Sequence, residues 1–220
     1  MALDRELIAL RVARALRESG ARYVNLGIGI PTLVSNFIPD FADVILQSEN
    51  GMLNYGPLAE PGEEDLDLRN AGGQFVTLLP GASIFDSAAS FALIRGGRLD
   101  ATVLGGLQVS EAGDLANWMR PDRGIGSMGG AMDLVTGAKQ VIVAMEHTTR
   151  QGHPKIVRNC SYPLTGRRCV SLIVTDLAVV EVTPTGLLLR EVAPGHSVED
   201  IQARTEPRLL VAEDVGEITF

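Results

Sequence analysis

Residues 44–51 read Val-Ile-Leu-Gln-Ser-Glu-Asn-Gly, an apolar run of Val44, Ile45 and Leu46 that turns at once into the polar string Ser48, Glu49, Asn50, Gly51. A short β-branched run of this kind predicts a buried strand, and a glycine just past it marks a turn. Open α/β sheets bind their ligands at the carboxyl ends of strands, so a carboxylate set there is placed for chemistry. Glu49 is therefore the candidate nucleophile. An acid in a polar loop is ordinarily only solvated, and its weight as a nucleophile comes from the rest of the chain.

Working outward, helix and strand signals alternate. Ile8, Val12, Ala15 and Leu16 fall at i, i+4, i+7 and i+8, with Arg11, Arg14 and Glu18 off that stripe, which predicts an amphipathic opening helix. Leu3, Leu7 and Leu10 lie on another side and point to a second surface. A strand over 23–28 follows, then a turn around Gly29 and a short helix beginning near Pro31 or Thr32. Further strands are expected over 75–78, 101–104 and 140–145, with a helix over 87–94. Short strands separated by helices predict an α/β fold with a mainly parallel open sheet flanked by helices. The closely spaced runs 172–175, 179–182 and 187–190, with Pro184, Thr185 and Gly186 as a hairpin turn, add an antiparallel C-terminal portion. No repeat or linker interrupts the chain, which predicts a single domain over residues 1–220.

Composition narrows the partners. The 220 residues are 45 % hydrophobic, enough for an independent core, and the formal charge of −8 argues against nucleic acid, which needs a clustered basic face. Cys160 and Cys169 match no zinc or redox spacing and read as buried apolar thiols of a reducing compartment. Residues 1–20 mix charge with apolar groups rather than forming a secretory leader, and no stretch approaches the ~20 apolar residues of a membrane span. A cytoplasmic protein with no membrane partner is expected.

Two segments are too long for ordinary connectors. Residues 48–71 hold Gly51, Pro57, Pro61 and Gly62, and residues 105–130 hold seven glycines with Leu115, Trp118 and Met119. Ordered loops of that length are usually functional, and two of them can build one site. Gly129 and Gly130 precede a predicted helix and offer small residues beside its first turn. Weaker patterns fail. Gly27 and Gly29 lack the third glycine of a dinucleotide fingerprint, and Lys139 stands at the wrong distance for a phosphate loop. Adjacent Glu146 and His147 point to opposite faces of a strand and suit a structural role better than a metal. Arg167 and Arg168 read as a solvated or interface pair.

SENG at 48–51, PGEED at 61–65, NAG at 70–72, LPGAS at 79–83, SFALIRGG at 90–97, GDLANWM at 113–119, MGGAMDLV at 128–135 and MEH at 145–147 together resemble the B subunit of 3-oxoacid CoA-transferases. The likeness runs from about Gly27 to Arg204 with the motifs in order. It implies the fold shared with glutaconate CoA-transferase and ribose-5-phosphate isomerase. It also implies an obligate A subunit, as two A and two B chains, that supplies much of the coenzyme A site. The implied reaction moves CoA from a succinyl-, acetyl- or butyryl-CoA to a 3-oxoacid such as acetoacetate, with 3-oxoadipate as the alternative acceptor. CoA is then a substrate, and neither metal nor nucleotide cofactor is needed.

The resemblance makes Glu49 the residue that becomes a glutamyl-CoA thioester and gives the Gly130 amide to the oxyanion hole, with Asn50, Gly51, Asn54, Tyr55 and Gly129 bordering the substrate. Departures fall near the same place. Asn54 and Tyr55 stand where relatives often carry glycine, Ser127 precedes MGGAMD where glycine is common, and Gly73 replaces a lysine after NAG. These bear on acyl specificity and shift a phosphate contact to the A subunit. A ligand-binding regulator and a sugar-phosphate isomerase are the rival readings on this fold.

Overall fold

Apolar residues at successive strand positions point to both faces of a sheet, and helices must then cover both. The computed structural model describes residues 2–40, 44–124 and 126–220. In chain order it contains α1 (Arg5–Glu18), β1 (Tyr23–Leu26), α2 (Ile30–Leu33), β2 (Ile45–Ser48), β3 (Met52–Leu58), β4 (Val76–Ile84), α3 (Ser87–Arg95), β5 (Ala101–Leu104), β6 (Gln108–Ser110) and β7 (Leu115–Ala116). There follow α4 (Ala131–Gly137), β8 (Gln140–Met145), β9 (Ile156–Val157), β10 (Leu172–Thr175), β11 (Ala178–Thr183), β12 (Gly186–Val192), α5 (Val198–Gln202) and β13 (Leu210–Glu217).

One ten-stranded sheet has the order β13-β12-β11-β10-β8-β5-β1-β2-β3-β4, and β7, β6 and β9 form a smaller one. The five central strands from β10 to β2 are parallel. Antiparallel ladders flank them, β10–β11–β12 on one side and β2–β3–β4 on the other. The expected mainly parallel sheet with an antiparallel C-terminal portion is present. Strand β8 shows how its faces divide. Ile142 and Ala144 join the cluster holding Ile8, Val12 and Leu16 of α1, whereas Val141, Val143 and Met145 join that of Ile94 from α3 and Leu134 from α4.

Helix α1 starts where the Asp4 carboxylate accepts the Leu7 amide at 2.8 Å. Leu3 and Leu7 do not meet a second surface; they join the same core as the main stripe. Arg11, expected on the polar side, is buried, because its Nε and Nη2 both donate at 2.8 Å to the Glu191 carboxylate on β12. A paired guanidinium tolerates burial that a lone one does not.

Five strands escape the sequence pattern: the short β6, β7 and β9 of the smaller sheet, and the longer β3 and β13 towards the two ends of the main one. Met52–Leu58 lies inside the segment expected as loop, and its Asn54, Gly56 and Pro57 are residues that argue against a strand. Register shifts flank Tyr55, and Asn54 adopts φ 63°, so β3 follows β4 only by bulging. At the opposite edge, β13 is rich in acids and largely exposed, and it pairs in parallel with β12. The segment 105–130 is mainly irregular, and its Ile125, like Met1 in the segment read for a leader, lies outside the described residues. Cys160 and Cys169 are half-buried free thiols, and burial pushes both up to about 11. Among the described residues no helix is long and apolar enough to cross a membrane.

The β2–β3 turn is tight. Ser48 pairs with Met52, leaving Glu49, Asn50 and Gly51 as the loop. Gly51 has φ 121°, and a Cβ there would sit 1.9 Å from the Phe85 carbonyl oxygen. The Phe85 amide donates to the Gly51 carbonyl at 2.9 Å, which ties the loop to the end of β4.

His147, at the end of β8, is fully buried while neighbouring Glu146 is exposed. Its Nδ1 and Nε2 each lie 2.9 Å from a threonine hydroxyl, Thr175 and Thr205, which fits the expected structural role. Burial, helped by Arg204 and Lys155, lowers its pKa to about 4.

Two outcomes follow for stability. Gly51→Ala should destabilise the chain by ~2 kcal/mol or more in urea denaturation, since backbone must move; a change within ~0.5 kcal/mol would contradict the tight turn. The folded His147 pKa is depressed, so its stabilisation is full above ~6.5 and is lost as pH falls towards 4. The deficit of His147→Gln should therefore shrink as denaturation is repeated from pH 7 down to 4.5, by up to ~3 kcal/mol; a deficit independent of pH would contradict this.

Candidate active site

Three parallel strands end together. From β1 the chain moves outward to β2, then returns on the other side of β1 as β5, so the crevice between β1 and β5 is a topological switch point. A cavity of about 350 Å³ opens there, within the usual range of small-molecule sites. Gly27 and Ile28 line it beyond β1, Leu104 at the end of β5 with residues 105–107 beyond it, and residues 127–131 with Leu134 from the α4 side, together with Asn117. Glu49 is the only ionisable lining residue among those described.

Gly130, the residue that caps the start of α4, stands against Glu49: a Cβ there would lie 3.5 Å from Glu49 Cγ and 3.0 Å from Phe91 Cζ. The two long segments thus do meet at one site. The Glu49 turn is also tied to the following strap. Asn50 Nδ2 donates to the Arg69 carbonyl at 2.7 Å, and the Ala71 amide donates to Ser48 Oγ at 2.9 Å. This sets Asn70, Ala71 and Gly72 beside the catalytic candidate.

Beneath Glu49 lies a polar row. Parallel register sets Asn25 of β1 beside Thr102 of β5 and beside Gln47 of β2, and all three are fully buried. Asn25 Nδ2 donates to Glu49 Oε2 at 3.1 Å and to Gln47 Oε1 at 2.8 Å, while Thr102 Oγ1 donates to Asn25 Oδ1 at 3.3 Å. Gln47 Nε2 then donates at 2.8 Å to Ser90 Oγ of α3. None of these four residues stood out from the sequence. The signal was there in Asn25, a polar residue inside a run otherwise apolar enough to be buried, and less plainly in Gln47, just after the run 44–46.

The remaining candidates are placed variously. Gly129, at φ 51°, lines the cavity, and so does Ser127. Asn54 points its amide to the Pro80 carbonyl at 3.0 Å, and Gly51 packs on Phe85. Tyr55 is buried in the core, where burial first and the nearby Glu49 charge second raise its phenol pKa. Asn50, Gly51, Asn54 and Tyr55 do not line the cavity. Arg167 and Arg168 are exposed away from it. Among the described residues no group of three or more His, Cys, Asp or Glu is arranged to hold a metal ion.

The chain is similar to known proteins over nearly its whole length. The chain is 51 % identical over 214 residues to the beta subunit of acetate CoA-transferase from Escherichia coli (strain K12), covering 96 % of each. It is 50 % identical over 205 residues to the B subunit of a probable succinyl-CoA:3-ketoacid coenzyme A transferase from Bacillus subtilis (strain 168), covering 93 % of this chain and 95 % of that one. To the B subunit of 3-oxoadipate CoA-transferase from Pseudomonas putida (strain KT2440) it is 54 % identical over 201 residues, covering 91 % and 93 %. Glutaconate coenzyme A-transferase from Acidaminococcus fermentans shares the fold at TM-score 0.71 and 18 % identity, over 98 % of this chain and 88 % of that one. An acyl-CoA transferase from Escherichia coli O157:H7 does so at TM-score 0.76 and 21 % identity, where the whole of this chain spans 45 % of the other. The model of the coenzyme A transferase family matches residues 6–204, and together with these relatives it shows that the chain belongs to that family of enzymes.

Proposed function

We propose that this chain is the catalytic B subunit of a 3-oxoacid CoA-transferase, which works with an A subunit on a short acyl-CoA and a 3-oxoacid such as acetoacetate. The observation that carries the reading is Glu49, the one ionisable residue among the described residues of the cavity at the strand ends, close to the Gly130 position. A carboxylate in that setting is suited to nucleophilic attack on a thioester. Attack on an acyl-CoA forms an acyl-glutamyl anhydride and releases CoA thiolate. The thiolate returns to the glutamyl carbonyl, expels the first acid and leaves a glutamyl-CoA thioester. A second acid runs the sequence backwards, giving ping-pong kinetics. Thioester free energy stays on the enzyme, so the cycle balances without ATP.

Each attack places negative charge on a carbonyl oxygen, and a fixed backbone amide at Gly130 can meet it without reorganising. The cavity is sized for a short acyl group and the thiol end of CoA, which leaves the rest of the coenzyme to the outer surface and an A subunit. That the relatives at about half identity are each named as a B or beta subunit supports this division. The 54 % identical relative named for 3-oxoadipate supports that acid as the alternative acceptor. An acyl-CoA substrate, which cells keep inside, favours the cytoplasm as the location.

Co-expression with an A-type chain should give a hetero-oligomer with two chains of each kind, visible by native mass spectrometry. Incubation of the complex with acetoacetyl-CoA, borohydride reduction and peptide mapping should find Glu49 modified. Glu49→Ala should lower turnover by ~10⁴-fold or more while sparing assembly. Retained turnover in that variant, or an unmodified Glu49 in active complex, would sink the mechanism.

A further inference from the structure

Beside the Glu49 turn stands a hairpin over residues 69–75, and it carries a cation of a kind the cavity lining lacks. Arg69 and Phe75 face each other across an antiparallel bridge, and Asn70 and Gln74 clamp the turn above them. The Gln74 amide donates to Asn70 Oδ1 at 3.0 Å, and Asn70 Nδ2 donates to Gln74 Oε1 at 3.1 Å. The hairpin is tied to the nucleophile turn at two points, the Arg69 carbonyl on Asn50 and the Ala71 amide on Ser48. At its tip a Cβ on Gly72 would lie 3.7 Å from Ile28 Cγ1, and Ile28, 72 % exposed, lines the cavity. Arg69 does not line the cavity and belongs to its outer rim.

The guanidinium of Arg69 is held in place and left without a partner. Its Cζ lies 4.0 Å from the centre of the Phe75 ring, which restrains the long side chain and leaves the edges of the planar fork open. Glu60, Glu63, Glu64, Asp65 and Asp67 precede it, yet among the described residues Arg69 forms no ion pair. Glu64 and Asp65 accept the backbone amides of Gly62 and Asp67 instead. Arg69 is also the only lysine or arginine between residues 44 and 94. A fork oriented by an aromatic face, with no carboxylate on it, is suited to bidentate recognition of an oxyanion from outside.

We propose that Arg69 binds a phosphate group of the coenzyme A substrate. The inference rests on the proposed reading in which the acyl group and thiol end enter the cavity at Glu49. What passes Ile28 towards the hairpin is then the remainder of the coenzyme, whose charged groups are phosphates. A short acid held inside the cavity does not meet Arg69. The acids of residues 60–67 repel an anion from the adjoining loop, which leaves Arg69 as the place where a phosphate settles on this side of the site. Part of the coenzyme's charge is thus met by this chain and not by an A subunit alone. A contact so far from the reacting atoms is the same in ground and transition states, and it enters KM rather than kcat.

The test uses the complex with the co-expressed A-type chain. Arg69→Met keeps an apolar stem on Phe75 and removes the charge; it should raise KM for acetoacetyl-CoA ~5- to 10-fold with kcat within about twofold. Arg69→Lys, a charge without the fork, should recover part of that loss. Acetoacetyl-pantetheine carries no phosphate, and as substrate or as inhibitor it should bind wild type and Arg69→Met equally. Added salt should raise KM for acetoacetyl-CoA more steeply in wild type than in Arg69→Met. A KM for acetoacetyl-CoA within about twofold of wild type, or an equal loss of pantetheine thioester binding from a displaced hairpin, overturns the proposal. So does a rise in KM confined to the acceptor acid and larger for a dicarboxylic one, which makes Arg69 a carboxylate contact. If the wild-type complex transfers CoA and Arg69→Met is normal, only this contact fails; if the wild-type complex transfers none, the proposed function and the contact fail together.

Discussion

Strand β1 pairs in parallel with β5 on one side and β2 on the other, so Asn25 lies beside both Thr102 and Gln47, and every feature of the site inherits that register. A slip of one residue would turn Asn25 to the opposite face and break the polar row. It would also shift the three strand ends that bring Gly27, Glu49 and Gly105 to one cavity. Parallel pairing in the sheet centre is buried on both faces, which makes that register costly to change. The site is as rigid as the sheet beneath it.

On this base the chain sets a charge in surroundings with little else that is polar. Glu49 sits partly exposed above a fully buried amide row, among glycines and apolar side chains. Asn25 supplies a neutral donor, so the carboxylate is held without a counter-ion among the described lining residues and remains free to react. The strap through Arg69 and Ala71 is tied to the same turn by hydrogen bonds with Asn50 and Ser48. The candidate nucleophile Glu49, its donor Asn25 and the strap at Ala71 thus belong to separate elements brought close at the carboxyl edge of one sheet.

Much of this was legible from residues alone. The α1 stripe, the central strands and the β11–β12 hairpin follow from periodicity and turn residues, which report local burial directly. Glu49 and the 128–135 string followed from motif and position after a strand. Met52–Leu58 was not legible, because its Asn54, Gly56 and Pro57 contradict a strand locally and are tolerated only by bulging against β4. Arg11 was misplaced for a related reason: Glu191, which allows its burial, lies 180 residues away.

The sequence by itself determined the type of fold, the family and the candidate acid Glu49, since helix period, strand alternation and an ordered set of motifs are all local properties. Tertiary structure decided which polar residues stand around that acid. Asn25, Gln47, Ser90 and Thr102 are each unremarkable in their own segments, and only the parallel register of β5, β1 and β2 with α3 packed above makes them one hydrogen-bonded row. It also drew Gly130 to Glu49 and left Tyr55 in the core and Asn54 on the β4 backbone. The reason is physical: hydrogen bonds between strands depend on pairing and register, which no single segment encodes.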